Sequence, residues 1–388
     1  MNKEFQISGL SRYGVCRLDD IETPRPLFFE WAILANLDRI VKTCGSLDNL
    51  RLMTKTFKSS AVLKYYVDAG LKAIKASSVR EARAMLSNTT IKDVLVSFPL
   101  FGHSIDEFLK LCDEYPDRSI SVLVNNMACA RALAEKAKGK ARVFIDIDPG
   151  MRRTGVTFGT RLVEFAGDLS SLPNLEVVGL HIYDGNIHHT NPHAVSTYSN
   201  SLMGKIDEAV TVLQNTFDIT EVVTSSSLTM KSNLLAYSEG KYTWKHTVSP
   251  GTSVLWDSNY NDIMPGEYDY ACAIAVRIVD VIPNADGHII TTDCGTKFGA
   301  SVDIGPVHVC SFNGYRFSAG YERYGSFCFL GFDRESGEPL ESDLSDAVGK
   351  VLLVVPRHVC PTVSQYEYAC LVRDGSIAER IDIDARDG

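Results

Sequence analysis

The sequence has no long hydrophobic run. No stretch of about 18 apolar residues occurs in the 388-residue chain, so a membrane-spanning helix is not predicted. Residues 1–16 also lack the continuous apolar segment of a secretory signal peptide. The 10 cysteines are scattered and do not form a disulfide framework, so we expect them to be reduced. Together these absences predict a cytoplasmic protein.

The sequence also has fewer basic residues than acidic residues. The chain has 39 Lys and Arg residues against 48 Asp and Glu residues, which gives a net charge of -9. Nucleic acid and an anionic membrane surface would both repel such a chain, so we expect neither to be a main partner. A local cationic pocket for one phosphate group remains compatible with this total.

Short apolar runs alternate with helix-like segments between about residues 50 and 251. One helix-like segment ends at Gly70, a residue that accepts the left-handed backbone of a helix C-terminus. The eight candidate strands are residues 50–55, 73–78, 93–98, 120–125, 142–147, 177–184, 221–226 and 245–251. Eight strands separated by helices over roughly 200 residues predict an α/β fold, the (β/α)8 TIM barrel. An open doubly wound sheet is the alternative, but no GxGxxG follows the first strand, as its dinucleotide-binding form requires.

After about Asp257 the helical periodicity nearly disappears. Short segments there are β-branched or alternating, with Gly, Pro and Asp between them, which predicts a mostly β C-terminal domain. The candidate strands are residues 271–282, 288–293, 351–355, 368–373 and 380–384. We therefore expect an N-terminal segment at 1–20 that joins the β domain, a barrel at 21–252 and the β domain at 253–388.

Lys55 ends the first candidate strand, and active sites of such barrels lie at the C-terminal ends of the strands. An alternating strand would place Lys55 and Met53 on one face. A lysine in a partly dry barrel mouth has a lowered pKa, so its neutral amine can form a Schiff base with an aldehyde cofactor. The alternative is a solvated lysine at a strand end. Lys58 and Lys75 are equally available as ordinary lysines.

Residues 51–58 resemble the R-P-H-x-K-T-H-K segment of D-threonine aldolases and D-serine dehydratases, whose cofactor lysine falls on Lys55. Upstream, residues 23–30 are similar to the family's entry strand T-P-x-x-x-x-D. Met53 and Phe57 stand where the relatives usually have histidine. The family consists of pyridoxal phosphate enzymes of fold type III, related to alanine racemase. The resemblance implies pyridoxal 5'-phosphate on Lys55, a barrel followed by a β domain, and a homodimer.

Arg153 and Tyr183 are the candidates for contacts with the cofactor ring. Arg153 follows the fifth strand in a segment that resembles the family's D-x-G-x-x-R-x-G, and a guanidinium there can hydrogen-bond an anionic ring oxygen. The alternative is a loop arginine paired with Asp146 or Asp148. Tyr183 ends the sixth strand in a segment that resembles G-L-x-x-Y-x-G, and its ring can lie against the pyridine. A barrel-core tyrosine is the alternative there.

A phosphate group needs several donors that converge on one point. Loops after strands seven and eight often supply them in this architecture, and here they contain Ser226, Ser227, Gly251 and Thr252. Residues 223–229 match the family's S-x-G-S-T-P-T loosely, because serine replaces the glycine and leucine replaces the proline. An ordinary polar loop is the alternative. We expect a phosphate site with altered ligands.

His358 and Cys360 form the candidate metal pair. On a strand, residues two apart share a face, so imidazole and thiolate can bind one ion and leave room for water or substrate. His308 and Cys310 repeat the spacing, and core filling is the alternative for both pairs. The resemblance favours His358 and Cys360, because D-serine dehydratases carry P-x-H-x-C. It implies a divalent metal, zinc or manganese.

The resemblance implies a metal-assisted lyase that acts on a small D-amino acid with a β-hydroxyl group. If Lys55 removes the α-proton and the hydroxyl leaves, D-serine gives pyruvate and ammonia. If a base takes the hydroxyl proton, the Cα–Cβ bond breaks and gives glycine and an aldehyde. Cys360 favours the dehydratase form. The alternatives are an amino-acid racemase, which needs a second base and no metal, and a non-catalytic pyridoxal phosphate-binding protein.

Overall fold

The structure is a computed structural model that describes residues 10–284, 287–295, 308–311, 316–317, 321–323, 326–332 and 347–386. The chain divides into two compact units. The first unit contains the described residues within 1–37, 56–61 and 252–386, and the second contains residues 38–55 and 62–251. The domain boundaries drawn from the sequence remain a prediction.

The second unit is built around eight parallel strands, which are hydrogen-bonded in the order β10-β9-β8-β6-β5-β4-β3-β2. They are β2 (Arg51–Met53), β3 (Ala73–Ala76), β4 (Asp93–Pro99), β5 (Ser119–Val124), β6 (Ala141–Asp148), β8 (Leu175–Ile182), β9 (Glu221–Thr224) and β10 (His246–Val248), and a short β7 (Val156–Thr157) pairs with β6. A parallel bridge between Leu50 and Val248 brings the first and last strands together. The predicted TIM barrel is confirmed, and each of the eight predicted strands overlaps an observed one.

Helices follow the strands along the chain. They are α1 (Glu30–Cys44), α2 (Ser60–Asp68), α3 (Val79–Asn88), α4 (His103–Glu114), α5 (Met127–Lys136), α6 (Thr160–Leu169), α7 (Pro192–Leu213) and α8 (Met230–Glu239). Several begin at a side chain that caps the helix. The Ser78 hydroxyl accepts the Glu81 N–H at 3.1 Å, and the Asn126 amide oxygen accepts the Cys129 N–H at 3.0 Å. Such caps satisfy backbone donors that have no partner within the helix.

The barrel interior is apolar in its middle layer and charged at both ends. The apolar layer contains Leu95, Leu123, Phe144, Val178 and Val223. At the N-terminal ends of the strands, the Arg51 side chain is 1% exposed and bonds Glu221 at 2.6 Å and Asp93 at 2.8 Å. These ion pairs lie at the N-terminal ends of the strands, whereas active sites of this architecture lie at the C-terminal ends.

The first unit is dominated by a mixed β sheet. Its strands are β1 (Arg25–Phe29), β11 (Cys272–Asn284), β12 (Gly287–Thr292), β13 (His308–Ser311), β14 (Arg316–Phe317), β15 (Tyr321–Arg323), β16 (Ser326–Phe332), β17 (Val351–Val355), β18 (Tyr368–Arg373) and β19 (Ser376–Asp382). Two short helices accompany them, α9 (Ser258–Ile263) and α10 (Val359–Val363). β1 comes from the N-terminal part of the chain and lies between β11 and β18. The predicted mostly β C-terminal part is confirmed.

Within the part of the chain that the structure describes, no helix has the length and hydropathy that crossing a membrane requires.

Candidate active site

Lys55 lies in a short 3-10 turn, Thr54–Thr56, directly after β2, and its side chain is half-buried. The prediction of a strand through Lys55 is wrong, because β2 ends at Met53. The Thr54 hydroxyl lies 3.2 Å from the carbonyl oxygen of Lys75 and also contacts the Glu81 carboxylate. These contacts turn the chain out of the strand, so strand alternation does not set the direction of the Lys55 side chain.

A second lysine occupies the barrel interior. Lys75 is on β3, is 4% exposed, and its Nζ lies 3.3 Å from Nε2 of His181 on β8. His181 Nδ1 in turn lies 2.8 Å from a carboxylate oxygen of Asp146 on β6. Because Asp146 can only accept, we assign the Nδ1–H tautomer to His181, which leaves Nε2 to accept a hydrogen bond from Lys75. Amine, imidazole and carboxylate therefore form one buried chain of hydrogen bonds.

The loop between β6 and β7 positions Arg153. Asp148 accepts the Arg152 N–H at 3.0 Å, which closes the turn. Gly155 has a φ of 114°, and a Cβ there would lie 2.5 Å from the Asp148 nitrogen, so this position requires glycine. The turn brings the Arg153 guanidinium carbon 5.0 Å from the ring centroid of Tyr183, within the range of a cation–π contact.

The Tyr183 ring also lies near the buried lysine. Lys75 Nζ is 5.3 Å from the ring centroid of Tyr183, which is half-buried just after β8. The two cations, Lys75 and Arg153, therefore share this aromatic ring. The structure brings the predicted ring contacts Arg153 and Tyr183 together at the C-terminal ends of the strands, with an unpredicted lysine beside them.

Positive charge converges on this end of the barrel. Burial, together with the positive charges of Lys55 and Arg153, lowers the pKa of Lys75 to about 7. The carboxylates of Asp146 and Asp184 act in the opposite direction. Three cationic side chains thus lie within electrostatic reach of one another in a chain of net negative charge. Such a cluster is suited to a ligand with several negative charges.

The loop after β9 is organised by a buried carboxylate. Asp184 is 0% exposed and accepts the Ser226 N–H at 2.8 Å, the Thr229 hydroxyl at 2.7 Å and the Asn233 amide at 2.9 Å. Burial raises the pKa of Asp184, and these hydrogen bonds oppose that rise. The loop therefore directs the Ser226 N–H to Asp184. Ser225 has a φ of 82°, the left-handed region that favours glycine, and it stands where the related motif has glycine.

The predicted phosphate residues lie on two loops. Ser226 and Ser227 are buried after β9, and the Ser227 Oγ accepts the N–H of Gly251 at 3.2 Å. Thr252 is also buried and begins a 3-10 turn, Thr252–Val254, which belongs to the first unit. The buried Ser249 hydroxyl, just before Gly251 in the chain, has no hydrogen-bond partner among the described residues. A buried hydroxyl without a partner marks a place where a ligand or water is needed.

The predicted metal pair lies at the start of a helix. The expectation that His358 and Cys360 share a strand is wrong, because the strand β17 ends at Val355 and α10 begins at Val359. His358 is the residue before that helix, and Cys360 is its second residue. Cys360 Sγ lies 3.3 Å from the Thr56 hydroxyl. Among the described residues, His, Cys, Asp and Glu side chains form no group of three or more that could hold a metal.

The second His-x-Cys pair of the sequence, His308 and Cys310, has its backbone on β13.

The motifs of the sequence did not predict that Lys75 and Asp184 belong to this site. For Lys75 a signal was present, since it interrupts the apolar run Ala73–Ala76 near the C-terminal end of a strand. A charged residue inside a buried barrel strand needs a polar partner, so its presence indicates a polar site in the barrel interior.

Residues 31–255 match the family described as "Alanine racemase, N-terminal domain". This match covers more than half of the chain, so the chain belongs to that family. The resemblance inferred from the motifs is confirmed by the names of its relatives. A 3-hydroxy-D-aspartate aldolase of Paracoccus denitrificans (strain Pd 1222) is 26% identical over 326 residues, which cover 82% of this chain and 79% of the relative. A D-serine dehydratase of Saccharomyces cerevisiae is 26% identical over 264 residues, which cover 58% of this chain and 60% of the relative.

Solved structures share the fold over nearly the whole chain. A D-threonine aldolase from Filomicrobium marinum superposes with a TM-score of 0.79 at 21% identity, covering 97% of this chain and 98% of the other. A D-threo-3-hydroxyaspartate dehydratase from Delftia sp. HT23 superposes with a TM-score of 0.75 at 19% identity, covering 94% and 98%. The fold is therefore that of the alanine racemase-like enzymes, a barrel joined to a β sheet.

Proposed function

We propose that the chain holds pyridoxal 5'-phosphate on Lys55 and acts as a lyase on small D-amino acids that carry a β-hydroxyl group. The observation that carries this proposal is that Lys75 and Arg153 both lie over the Tyr183 ring at the C-terminal ends of the barrel strands, with the positive charge of Lys55 close enough to act on Lys75. The relatives named as an aldolase and a dehydratase of D-amino acids support the reaction class. The racemase and the non-catalytic binding protein stay as the alternatives to be tested.

The residues present fit the cofactor. The buried hydroxyl of Ser249, which lacks a partner among the described residues, lies beside the loop that contains Ser226 and Ser227. These hydroxyls, with Gly251, are the groups we propose for the phosphate. Asp184 lies next to them and holds this loop in place through the Ser226 N–H and the Thr229 hydroxyl.

Each residue has a chemical task in this proposal. When bound, the cofactor supplies an electron-withdrawing ring to the α-carbon of the substrate. Lys55 would hold the cofactor covalently, and its amine, when free and neutral, would take the α-proton of the substrate. The Arg153 guanidinium would serve as a hydrogen-bond donor to an anionic oxygen of the cofactor. The Tyr183 ring would supply an aromatic surface for the cofactor and limit the access of water.

For the metal, we propose His358 and Cys360 as protein ligands of one divalent ion, zinc or manganese. An imidazole and a thiolate are a donor set that zinc accepts, and two protein ligands leave positions for water and substrate. Such an ion would serve as a Lewis acid for the β-hydroxyl group. This part of the proposal is supported by the match to P-x-H-x-C in the related dehydratases. We also propose a homodimer, on the basis of the resemblance.

The test is a product assay with D-serine, D-threonine and 3-hydroxy-D-aspartate. Purified protein is incubated with the cofactor and with zinc, manganese or a chelator. Pyruvate and ammonia from D-serine indicate dehydration, whereas glycine and an aldehyde from D-threonine indicate aldol cleavage. Lys55→Arg keeps the charge but cannot bond the cofactor, so it should lose all turnover. The exposed Lys64 gives the matched control, since Lys64→Arg should retain activity.

Two results would contradict the lyase. Chelator-insensitive inversion of alanine, with deuterium entering the α-position in deuterated water, would indicate a racemase. Binding of the cofactor without turnover of any D-β-hydroxy amino acid would indicate a binding protein.

A further inference from the structure

We propose that Lys58 positions the turn that carries Lys55, by binding the segment of the chain that follows β19. This inference rests on the proposed function of Lys55 and adds to it a positioning residue. Lys58 is the last residue of the segment that resembles R-P-H-x-K-T-H-K, and no step of the proposed reaction uses it. It is 6% exposed, so it is not a solvated lysine of the surface.

Lys58 makes two hydrogen bonds with one residue. Its Nζ donates to the carbonyl oxygen of Ala385 at 3.3 Å, and its own carbonyl oxygen accepts the Ala385 N–H at 3.0 Å. An amine this deeply buried needs an acceptor, and the carbonyl of the buried Ala385 provides one. Because the two bonds close a ring, they fix both the distance and the relative orientation of the two chain segments.

The backbone of Lys58 is also held in an unusual conformation. Its φ is 48°, in the left-handed region, which a residue other than glycine keeps where the surrounding contacts hold it. Lys58 lies between the 3-10 turn Thr54–Thr56 and Ser60, the first residue of α2. Its conformation therefore sets the path by which the chain leaves the turn that contains Lys55.

Asp384 holds the far end of this short connection. Its carboxylate accepts the Ser60 N–H at 3.0 Å and also the Ser60 hydroxyl. The first amides of a helix have no partner within the helix, so Asp384 caps α2 from a position 324 residues away in the sequence. The segment that contains Asp384 is itself fixed, because the Ile383 N–H donates to the carbonyl oxygen of Glu367 at 2.8 Å.

Lys55 is therefore held on both sides along the chain. On its N-terminal side the Thr54 hydroxyl contacts the buried Glu81 carboxylate, and on its C-terminal side Lys58 is bound to Ala385. A lysine whose backbone is ordered before the cofactor arrives loses less conformational freedom when the covalent bond forms. The contacts of Lys58 should thus favour the bond to the aldehyde, and not the binding of the rest of the cofactor.

Two ligands separate these effects. Pyridoxal 5'-phosphate can bond a lysine, whereas pyridoxine 5'-phosphate has an alcohol in place of the aldehyde and binds without a covalent bond. Lys58→Met keeps the length of the side chain but has no donor. In calorimetric titrations of the full chain it should weaken the binding of pyridoxal 5'-phosphate by about tenfold and leave that of pyridoxine 5'-phosphate unchanged. The exposed Lys64 gives the control, because Lys64→Met should change neither affinity.

Other variants separate the side chain of Lys58 from its backbone. Lys58→Gly accepts a left-handed φ at no steric cost but has no donor, so it should lose at least as much affinity for pyridoxal 5'-phosphate as Lys58→Met. Lys58→Arg keeps a cationic donor and should recover part of the loss. Asp384→Ala should increase the hydrogen–deuterium exchange of the Ser60 amide and weaken only the aldehyde ligand. Asp382→Ala, which removes an exposed carboxylate on β19, should do neither.

Three results would decide against these roles, once circular dichroism has verified that the variants are folded. Equal losses for the two ligands, or no loss for either, in Lys58→Met and Asp384→Ala would overturn the inference, because the contacts would then not act on the covalent bond. Wild-type affinity in Lys58→Gly would also overturn it, since the backbone alone would suffice. A wild-type protein that binds both ligands equally, with no reducible bond to Lys55, would contradict the proposed function itself and the inference with it.

Discussion

Replacing Lys75 with methionine should change how the stability of the barrel depends on pH. Lys75 has a pKa of about 7 in the folded chain instead of the ordinary 10.5. A shift of this size corresponds to roughly 5 kcal/mol, at about 1.4 kcal/mol per unit. That free energy is the cost of keeping the side chain protonated in the folded barrel below about pH 7. A methionine of similar length removes this cost.

The sign of the pH dependence follows from the protons bound in each state. Between about pH 7 and 10.5 the unfolded chain keeps the Lys75 proton and the folded chain loses it. Stability therefore rises with pH across this window. Integrated from about pH 7 to pH 9, the gain is about 2 kcal/mol. Lys75→Met should lack this gain, so the variant should exceed the wild type in stability most clearly on the acidic side.

Urea unfolding followed by far-UV circular dichroism tests this prediction. The difference between variant and wild type is measured at several pH values, so that other titrating groups cancel. Lys92→Met is the matched control, because Lys92 is exposed and its replacement should change stability by less than about 0.5 kcal/mol. If the difference between Lys75→Met and wild type is the same at about pH 6 and pH 9, the Lys75 side chain is not buried as a titrating amine and the reasoning fails.

Three other perturbations have definite expected outcomes. Arg51→Met should destabilise the barrel by about 3–5 kcal/mol, because it leaves Glu221 buried without its cation, and Glu221→Gln in the same chain should recover much of the loss in urea unfolding. Arg51 lowers the pKa of Glu221, although burial opposes this shift. The stabilisation from the charged Glu221 is therefore present above about pH 4.5 and is lost on further acidification, which acid titration of the wild type should show. Asp184→Ala removes the acceptor of the Ser226 N–H and should weaken cofactor binding by about tenfold in a spectroscopic titration, at a cost of about 1–3 kcal/mol per buried donor left unsatisfied. His358→Asn should abolish stimulation by zinc or manganese while leaving the covalent labelling of Lys55 intact, and stimulation that survives would remove His358 from the metal site.

The barrel was predictable from the sequence because each strand and helix has a local sequence signal. Apolar runs, helix-like spacing and Gly70 are signals that lie within the elements that they mark or directly beside them. The turn at Lys55 was not predictable, since it depends on the contact of Thr54 with Glu81, which is 27 residues away. Local periodicity carries no information about such a partner.

The same reason explains the other differences between prediction and structure. His358 and Cys360 follow a correctly predicted strand, but the chain turns into α10, and the strand periodicity no longer applies. Lys75 meets His181 across the barrel, 106 residues later in the chain. Motifs shared with relatives indicated Lys55, Arg153 and the serine loops. They could not indicate Lys75, because its contact with His181 forms only in the folded barrel.

Borohydride reduction is the most direct test of the central claim, the covalent attachment of the cofactor to Lys55. The full chain is incubated with pyridoxal 5'-phosphate, and its absorbance at about 420 nm is recorded. After reduction, the modified peptide is identified by mass spectrometry. We expect one modified lysine, Lys55, and no absorbance band in Lys55→Arg. Modification of Lys75 instead, or no modified lysine in a protein that binds the cofactor, would contradict it.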